Sequence, residues 1–230
     1  QSDWYTRAIQ QDRYICRGGG EWFEPRFSYK GFRYLQINGY AGPFSPNDVK
    51  LFLIHNDVDR CGRFDSSVEQ FNRLHDIMVR TMRNNFQGKP TDTPVWEKNG
   101  WTGDANVACE SMCCNFDVSL FLSKFLDDLA DAQDASGSVP QIAPTANWAM
   151  ENTPVWNSIF VLATEKLLDQ YGARRLVDQH YEAMKRLMSL TLTQIEFSGW
   201  VWNDFQLADW VSPSGGSNPM IASEASASEG

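Results

Sequence analysis

The spacing of apolar positions along the chain changes near Asp65. Before it, large residues come in clusters. Trp22-Phe23-Glu24-Pro25-Arg26-Phe27-Ser28-Tyr29 is followed by Phe32-Arg33-Tyr34-Leu35-Gln36-Ile37, and this aromatic and β-branched content predicts strands. Turns are expected from Asn38 to Gly42 and from Pro43 to Pro46, and Gly18-Gly19-Gly20 reads as another. Val49–His55 has an apolar centre and predicts a strand buried on both faces. After Asp65 the spacing becomes helical. Val68, Phe71, Leu74, Met78 and Met82 share one face of a helix over Ser66–Phe86, with Asp65 or Ser66 as its cap. A second helix is expected from Asp104 to Cys114. A third is marked by Val118, Phe121, Leu122, Phe125, Leu126 and Leu129, with Asp127, Asp128 and Asp131 mostly off the stripe as a solvated face. A loop over Ser136–Pro154 follows, marked by Gly137, Pro140 and Pro144. Ile159, Phe160, Ala163, Leu167 and Tyr171 then line a helix that Gly172 can close in the left-handed conformation. A last helix, from about Arg174 to Ile195, turns Tyr181, Met184, Met188 and Ile195 inward. Strands followed by antiparallel helices predict a mainly α fold, with a β region abutting a helical bundle or toroid.

One stretch fits neither period. Pro90–Asp104 reads PTDTPVWEKNGWTGD, and Pro90, Pro94, Gly100 and Gly103 predict a loop. It carries Asp92, Glu97 and Asp104 with Trp96 and Trp101 among them. Indoles cover the apolar C–H faces of a sugar, and carboxylates bond its hydroxyls or move protons. An acidic surface loop with one buried indole is the alternative on the residues alone. A second aromatic and acidic stretch, Gly199–Trp210, holds Trp200, Trp202, Asp204, Asp209 and Trp210, and the tail from Ser212 is rich in Ser, Ala, Gly and Glu.

Charge narrows the partners. The formal net charge of −9 argues against nucleic acid or an anionic membrane surface and suits a neutral substrate. No run approaches the roughly 18 apolar residues of a membrane helix, and no leader is visible. The five cysteines, Cys16, Cys61, Cys109, Cys113 and Cys114, lack the spacing of a zinc site, and the three histidines lie far apart. Cys109 and Cys113 are expected as small buried thiols on one helical face, and Cys16 with Cys61 is a possible disulfide. No metal and no cofactor is expected. An extracellular, secreted location is expected on the cysteines, with a cytoplasmic one as the alternative.

With these residues in view, PTDTPVWEKNGWTGDA resembles the signature loop of inverting α-L-rhamnosidases with a six-hairpin (α/α)6 barrel. FSYKGFRYLQINGYAG is similar to the strand pair that closes the preceding β-sandwich. HNDVDRCGRFDSSVEQFNRLH, NFDVSLFLSKFLDDLADAQDASGSVPQIAP and LADWVSP resemble later segments in the same order. The resemblance spans about Tyr14 to Pro213. It implies that residues 1–60 are the strand-rich end of a β-sandwich domain and 61–230 the first part of the catalytic toroid. It implies Glu97 as general acid, Asp92 and Asp104 as contacts to sugar hydroxyls, and Trp101 as a wall against the rhamnose 6-methyl group. Trp156 and Trp210 are implied as further walls and Asp209 as a polar contact. Flanking indoles and neighbouring carboxylates suit an acid that must hold its proton near neutrality.

An inverting hydrolase also needs a base, with the two carboxyls roughly 6.5–9.5 Å apart. In the family this is a glutamate in the second half of the barrel, which the 230 residues do not reach. The chain is therefore expected to be part of a larger enzyme and to need the remainder of the catalytic domain, in the same or a second chain. The expected substrate is a rhamnosylated small molecule or polysaccharide. The alternatives are a carbohydrate-binding fragment without catalysis and a six-hairpin hydrolase for another sugar.

Overall fold

The structure, a computed structural model, describes residues 10–145, 147 and 149–202. Its body is a set of α-helices: α1 Glu69–Asn84, α2 Thr102–Asn115, α3 Ser119–Asp131, the short α4 Pro154–Asn157, α5 Ile159–Tyr171 and α6 Arg174–Phe197. A 3-10 turn, Pro46–Asp48, precedes them.

The core lies between α2, α3, α5 and α6. The α3 stripe is buried as its spacing predicts, from Val118 through Phe121, Leu122, Phe125 and Leu126 to Leu129. It meets Ile159, Phe160, Ala163 and Leu167 of α5 and Leu176, Ala183 and Leu187 of α6. Cys109 and Cys113 are buried together on the inner face of α2, as their four-residue spacing requires. Phe86 and Phe116 meet edge to face at 5.2 Å between ring centres, and Phe121 closes on Phe86 at 4.9 Å. Gly172 ends α5 at φ 63° and ψ 27°, the expected left-handed cap.

Several expectations are corrected. The helix predicted over Ser66–Phe86 starts at Glu69. Neither Asp65 nor Ser66 caps it; instead Ser66 is enclosed by Asn72, whose amide accepts from its N–H and donates to its C=O at 2.8 and 2.9 Å. Only Val79 and Met82 of α1 are buried, while Phe71, Leu74 and Met78 of the predicted stripe are exposed. On α6 the buried face is Leu176, His180, Ala183, Met184, Leu187 and Thr191, with Tyr181 and Met188 outside. The expected Met184 belongs to this face, but small and polar residues occupy much of the seam, so hydropathy alone marks only part of it. Cys16 and Cys61 are both free thiols.

The predicted strands are not visible among the described residues. Among the described residues, 10–60 contain no strand ladder, only an isolated antiparallel bridge from Arg60 to Phe116. Val49–His55 is not buried on two faces: Leu51, Phe52, Leu53 and Ile54 are all more than half exposed. A strand is stabilised by neighbours that pair its N–H and C=O groups and by a second layer that covers its face. Neither lies beside this segment among the described residues. What fixes its end is the helical body. Phe86 C=O accepts from Asn56 N–H at 2.8 Å, and the Gln87 amide donates to Ile54 C=O at 2.7 Å. Asp59 C=O accepts from Asp117 N–H at 2.8 Å. No helix among the described residues is long and apolar enough to cross a membrane.

Candidate active site

Pro90 to Trp101 forms the predicted loop, but α2 begins at Thr102, inside the stretch expected to be irregular. Gly103 and Asp104 are therefore helical. Asp104 does not cap the helix, a position Trp101 takes without a side-chain bond. It sits exposed in the first turn, where the helix dipole favours a negative charge.

The loop is closed on itself by Asp92. Its N–H donates to Asn99 C=O at 3.0 Å, and its Oδ1 accepts from Asn99 N–H at 2.7 Å. Oδ2 has a weaker partner, the Thr93 hydroxyl at 3.5 Å. Burial raises the Asp92 pKa, and the nearby Glu97 charge raises it further, against backbone N–H donors that lower it. Glu97 lies within this closed loop. Its Oε2 accepts from the Trp101 indole N–H at 2.7 Å, so one residue supplies both an aromatic face and the donor that aims the carboxylate. The next residue, Lys98, has φ 58°, a left-handed value that few residues other than glycine adopt. Trp96 points outward and is about half exposed.

A second loop is stitched against the first. Thr102 donates from both its N–H and its hydroxyl to Gln141 C=O, at 2.8 and 3.0 Å. Gly100 C=O accepts from Ala143 N–H at 2.9 Å. Buried amides continue the stitching: Gln141 donates to the Thr153 hydroxyl at 2.6 Å, Asn157 to Val139 C=O at 2.6 Å and Asn152 to the Thr191 hydroxyl at 3.0 Å. This network holds α4, which carries Trp156. Asn106 of α2 binds Val155 C=O at 2.9 Å, fixing α4 on the other side. The Trp156 indole lies flat against Gly103, where a Cβ would meet three of its ring atoms at 2.5–2.6 Å. Gly103 is thus a contact requirement, not a loop breaker.

The arrangement brings Asp92, Glu97 and Trp101 together in one loop, packs Trp156 of α4 against Gly103 in the first turn of α2 and leaves Asp104 exposed in that same turn. Asp209 and Trp210 lie outside the described residues. The sequence reading missed Asn99, Lys98, Gln141 and the approach of Trp156 to Gly103. Only the two glycines of the GWTG run carry a trace of them, because their spacing serves a close approach as well as a turn.

Residues 59–227 match the family described as bacterial alpha-L-rhamnosidase 6 hairpin glycosidase domain. Residues 3–55 match the bacterial alpha-L-rhamnosidase concanavalin-like domain. An alpha-L-rhamnosidase of Streptomyces avermitilis is 34% identical over 172 residues, 74% of this chain and 17% of that protein. The solved alpha-L-rhamnosidase from Dictyoglumus thermophilum superposes with a TM-score of 0.78 at 29% identity, over 89% of this chain and 23% of the other. That of Aspergillus terreus gives 0.72 at 31% identity, over 87% and 24%. The chain spans about a sixth to a quarter of the length of these relatives.

Proposed function

The chain belongs to the bacterial alpha-L-rhamnosidase six-hairpin glycosidase family, and from that premise we propose that the enzyme containing it cleaves terminal α-L-rhamnose from rhamnosides with inversion, Glu97 being the general acid. The observation that carries this reading is the 2.7 Å bond from the Trp101 indole to Glu97 inside a loop that Asp92 closes. It fixes a carboxyl beside an aromatic wall, which is what protonation of a bound glycosidic oxygen requires.

In this reading Glu97 gives its proton to the leaving oxygen as the C1–O bond breaks. A water attacks C1 from the opposite face, and a carboxylate outside this chain takes its proton. The product is free β-L-rhamnose and the protonated aglycone. Asp92, through its weakly engaged Oδ2, and Asp104 hold ring hydroxyls. Trp101 and Trp156 form walls for the ring and its 6-methyl group, joined by Trp210, while Asp209 adds a polar contact. Residues 1–60 end a β-sandwich domain, and 61–230 begin the catalytic toroid. The remainder of that toroid is the chain's partner, the substrate is a rhamnosylated small molecule or polysaccharide, and the enzyme is secreted.

The test uses the full-length enzyme and two aryl α-L-rhamnosides. Glu97→Gln abolishes turnover of a substrate with a poor leaving group, but spares much of the rate on a nitrophenyl rhamnoside, whose departure needs little protonation. Proton NMR of the first-formed sugar shows the β anomer. Equal effects on both substrates, or α-rhamnose as first product, overturn the assignment.

A further inference from the structure

The segment before the helical body reaches the loop that carries Glu97 at Tyr29 and Gly31. Lys98 Nζ donates to Tyr29 C=O at 2.7 Å and lies 4.6 Å from the centre of the Tyr29 ring. The backbone at Gly31 presses on the same loop so closely that a Cβ there would stand 2.8 Å from Pro94 O and from a Val95 methyl carbon. Gly31 is itself held by Gln10, whose side-chain oxygen accepts its N–H at 3.0 Å. The Tyr29 hydroxyl is buried and makes no hydrogen bond of good geometry among the described residues. It lies close enough to Thr91 and Asp92 for both to influence its ionisation.

Lys98 follows Glu97 directly and has φ 58°. Such a position ordinarily takes glycine or asparagine. A lysine held there, with its ammonium placed on a carbonyl and a ring, is using its side chain. Burial, and then the neighbouring Lys30 charge, lower the Lys98 pKa, so the ammonium is partly stripped of water and depends on these protein contacts. The left-handed turn at Lys98 also presents Asn99 N–H to Asp92 and leaves Glu97 facing Trp101.

We propose that Tyr29 and Lys98 are positioning residues: they clamp the acid loop onto the segment that precedes the helical body, so that this segment sets where the Glu97 carboxyl stands. Residue 29 falls within the span matching the concanavalin-like domain. That domain then contributes to catalysis by fixing the acid, not only by covering the toroid. The proposal rests on the reading of Glu97 as acid.

The test is made in the full-length enzyme with a nitrophenyl α-L-rhamnoside and a second readout, hydrogen exchange of the amides in residues 92–99. Lys98→Met and Lys98→Gly lower kcat by about 10- to 100-fold, the effect of a misplaced reacting group, while KM stays within about threefold. Lys98→Arg, which keeps a cation over the ring, stays within about threefold of the parent. Tyr29→Leu leaves the carbonyl and removes the ring, so kcat falls by about 3- to 30-fold. Combining it with Lys98→Met adds little, because the ring then has no cation to hold. Lys98→Met and Tyr29→Leu both speed exchange at Asn99. Glycine tolerates the left-handed turn, so parental activity in Lys98→Gly overturns the clamp, as does multiplicative loss in the double variant. If the parent turns over no rhamnoside, the functional reading fails, and exchange decides the clamp alone: unchanged exchange at Asn99 in both variants refutes it.

Discussion

Gly103→Ala separates two opposing effects at the first turn of α2. Alanine in a helix is favoured over glycine by about 0.5–1 kcal/mol. At Gly103, however, the new Cβ would meet Nε1, Cδ1 and Cε2 of Trp156 at 2.5–2.6 Å. Carbon contacts are comfortable at about 3.5–4.0 Å, so the indole has to withdraw by about 1 Å. It cannot do so freely. Trp156 sits in α4, which Asn106 holds through Val155 C=O at 2.9 Å and the Ser158 hydroxyl at 3.1 Å, and the buried Asn157 amide anchors the same turn on Val139. Over-packing against so fixed a group costs about 1–3 kcal/mol. Clash wins over propensity, leaving a net loss of about 1–2 kcal/mol. At about 2–4 °C per kcal/mol for a domain of this size, Tm falls by roughly 2–8 °C. The displaced indole is also a wall of the proposed sugar site. KM for an aryl α-L-rhamnoside rises about tenfold, the factor for 1.4 kcal/mol of lost binding. The assay is a double-mutant cycle with Trp156→Leu, read by thermal unfolding. Once the indole is gone, Gly103→Ala becomes neutral or stabilising. If Gly103→Ala stabilises the parent as well, Trp156 is not packed on α2 as described and the reasoning fails.

Other outcomes follow from the same geometry. Trp101→Phe keeps an aromatic face and removes the donor to Glu97, so kcat/KM falls by about 10- to 100-fold, the worth of a hydrogen bond to a charged group; an unchanged value refutes the aiming role of the indole. Asp92 has a pKa raised by burial above its ordinary 3.8, so its charged form is the costly one: its contribution to stability is greatest in acid and is lost as pH rises through the folded pKa. Asp92→Asn therefore raises Tm at neutral pH relative to the parent and flattens its pH dependence, while rhamnoside turnover falls; denaturation monitored from acid to neutral pH checks this. Asp134 behaves oppositely. Its Oδ1 accepts from the Ser136 hydroxyl at 2.6 Å and from Ser138 N–H at 3.0 Å, and the Ser136 bond first, then the backbone donors, hold its pKa below the ordinary value. The stability it adds is present at neutral pH and is lost as pH falls through the folded pKa, so Asp134→Ala lowers Tm at pH 7 and not in strong acid. Leu126→Ala, at a fully buried position of α3, costs about 2–5 kcal/mol, measured by denaturant unfolding.

The helices were legible where one face alone decides burial. The α3 stripe and the Gly172 cap stand where hydropathy and the left-handed preference of glycine put them. The α1 stripe was read correctly as a stripe, but its residues are exposed, because periodicity reports a sided helix without saying what covers the side. The expected strands are not visible among the described residues for a related reason. Aromatic alternation describes a surface suited to a sheet, and pairing needs neighbours that the sequence of one segment does not contain. In the loop, residue types pointed to the chemistry, but not to the bonds that hold it: Asn99, Lys98 and Gly103 acquire their roles from partners at Asp92, Tyr29 and Trp156, which no local spacing reveals.

That difference explains how one stretch can be both rigid and open. Asp92 meets Asn99 through two hydrogen bonds that close the loop, and Thr102 and Gly100 fasten its end to Gln141 and Ala143. The backbone is thereby determined on both sides of Glu97, whose carboxyl accepts from the Trp101 indole at 2.7 Å. An acid that must meet a substrate oxygen needs this combination, since a looser loop would lose orientation and a fully satisfied carboxyl would have no free lone pair for its proton. Lys98 is the point where the two demands meet. Its left-handed turn frees the carboxyl to face the indole, and its side chain returns the loop to Tyr29. Lys98→Gly keeps the turn and removes the cation, whereas Lys98→Arg keeps both. Lys98→Gly and Lys98→Arg therefore part in kcat if orientation is held by the side chain, and coincide if the turn alone suffices.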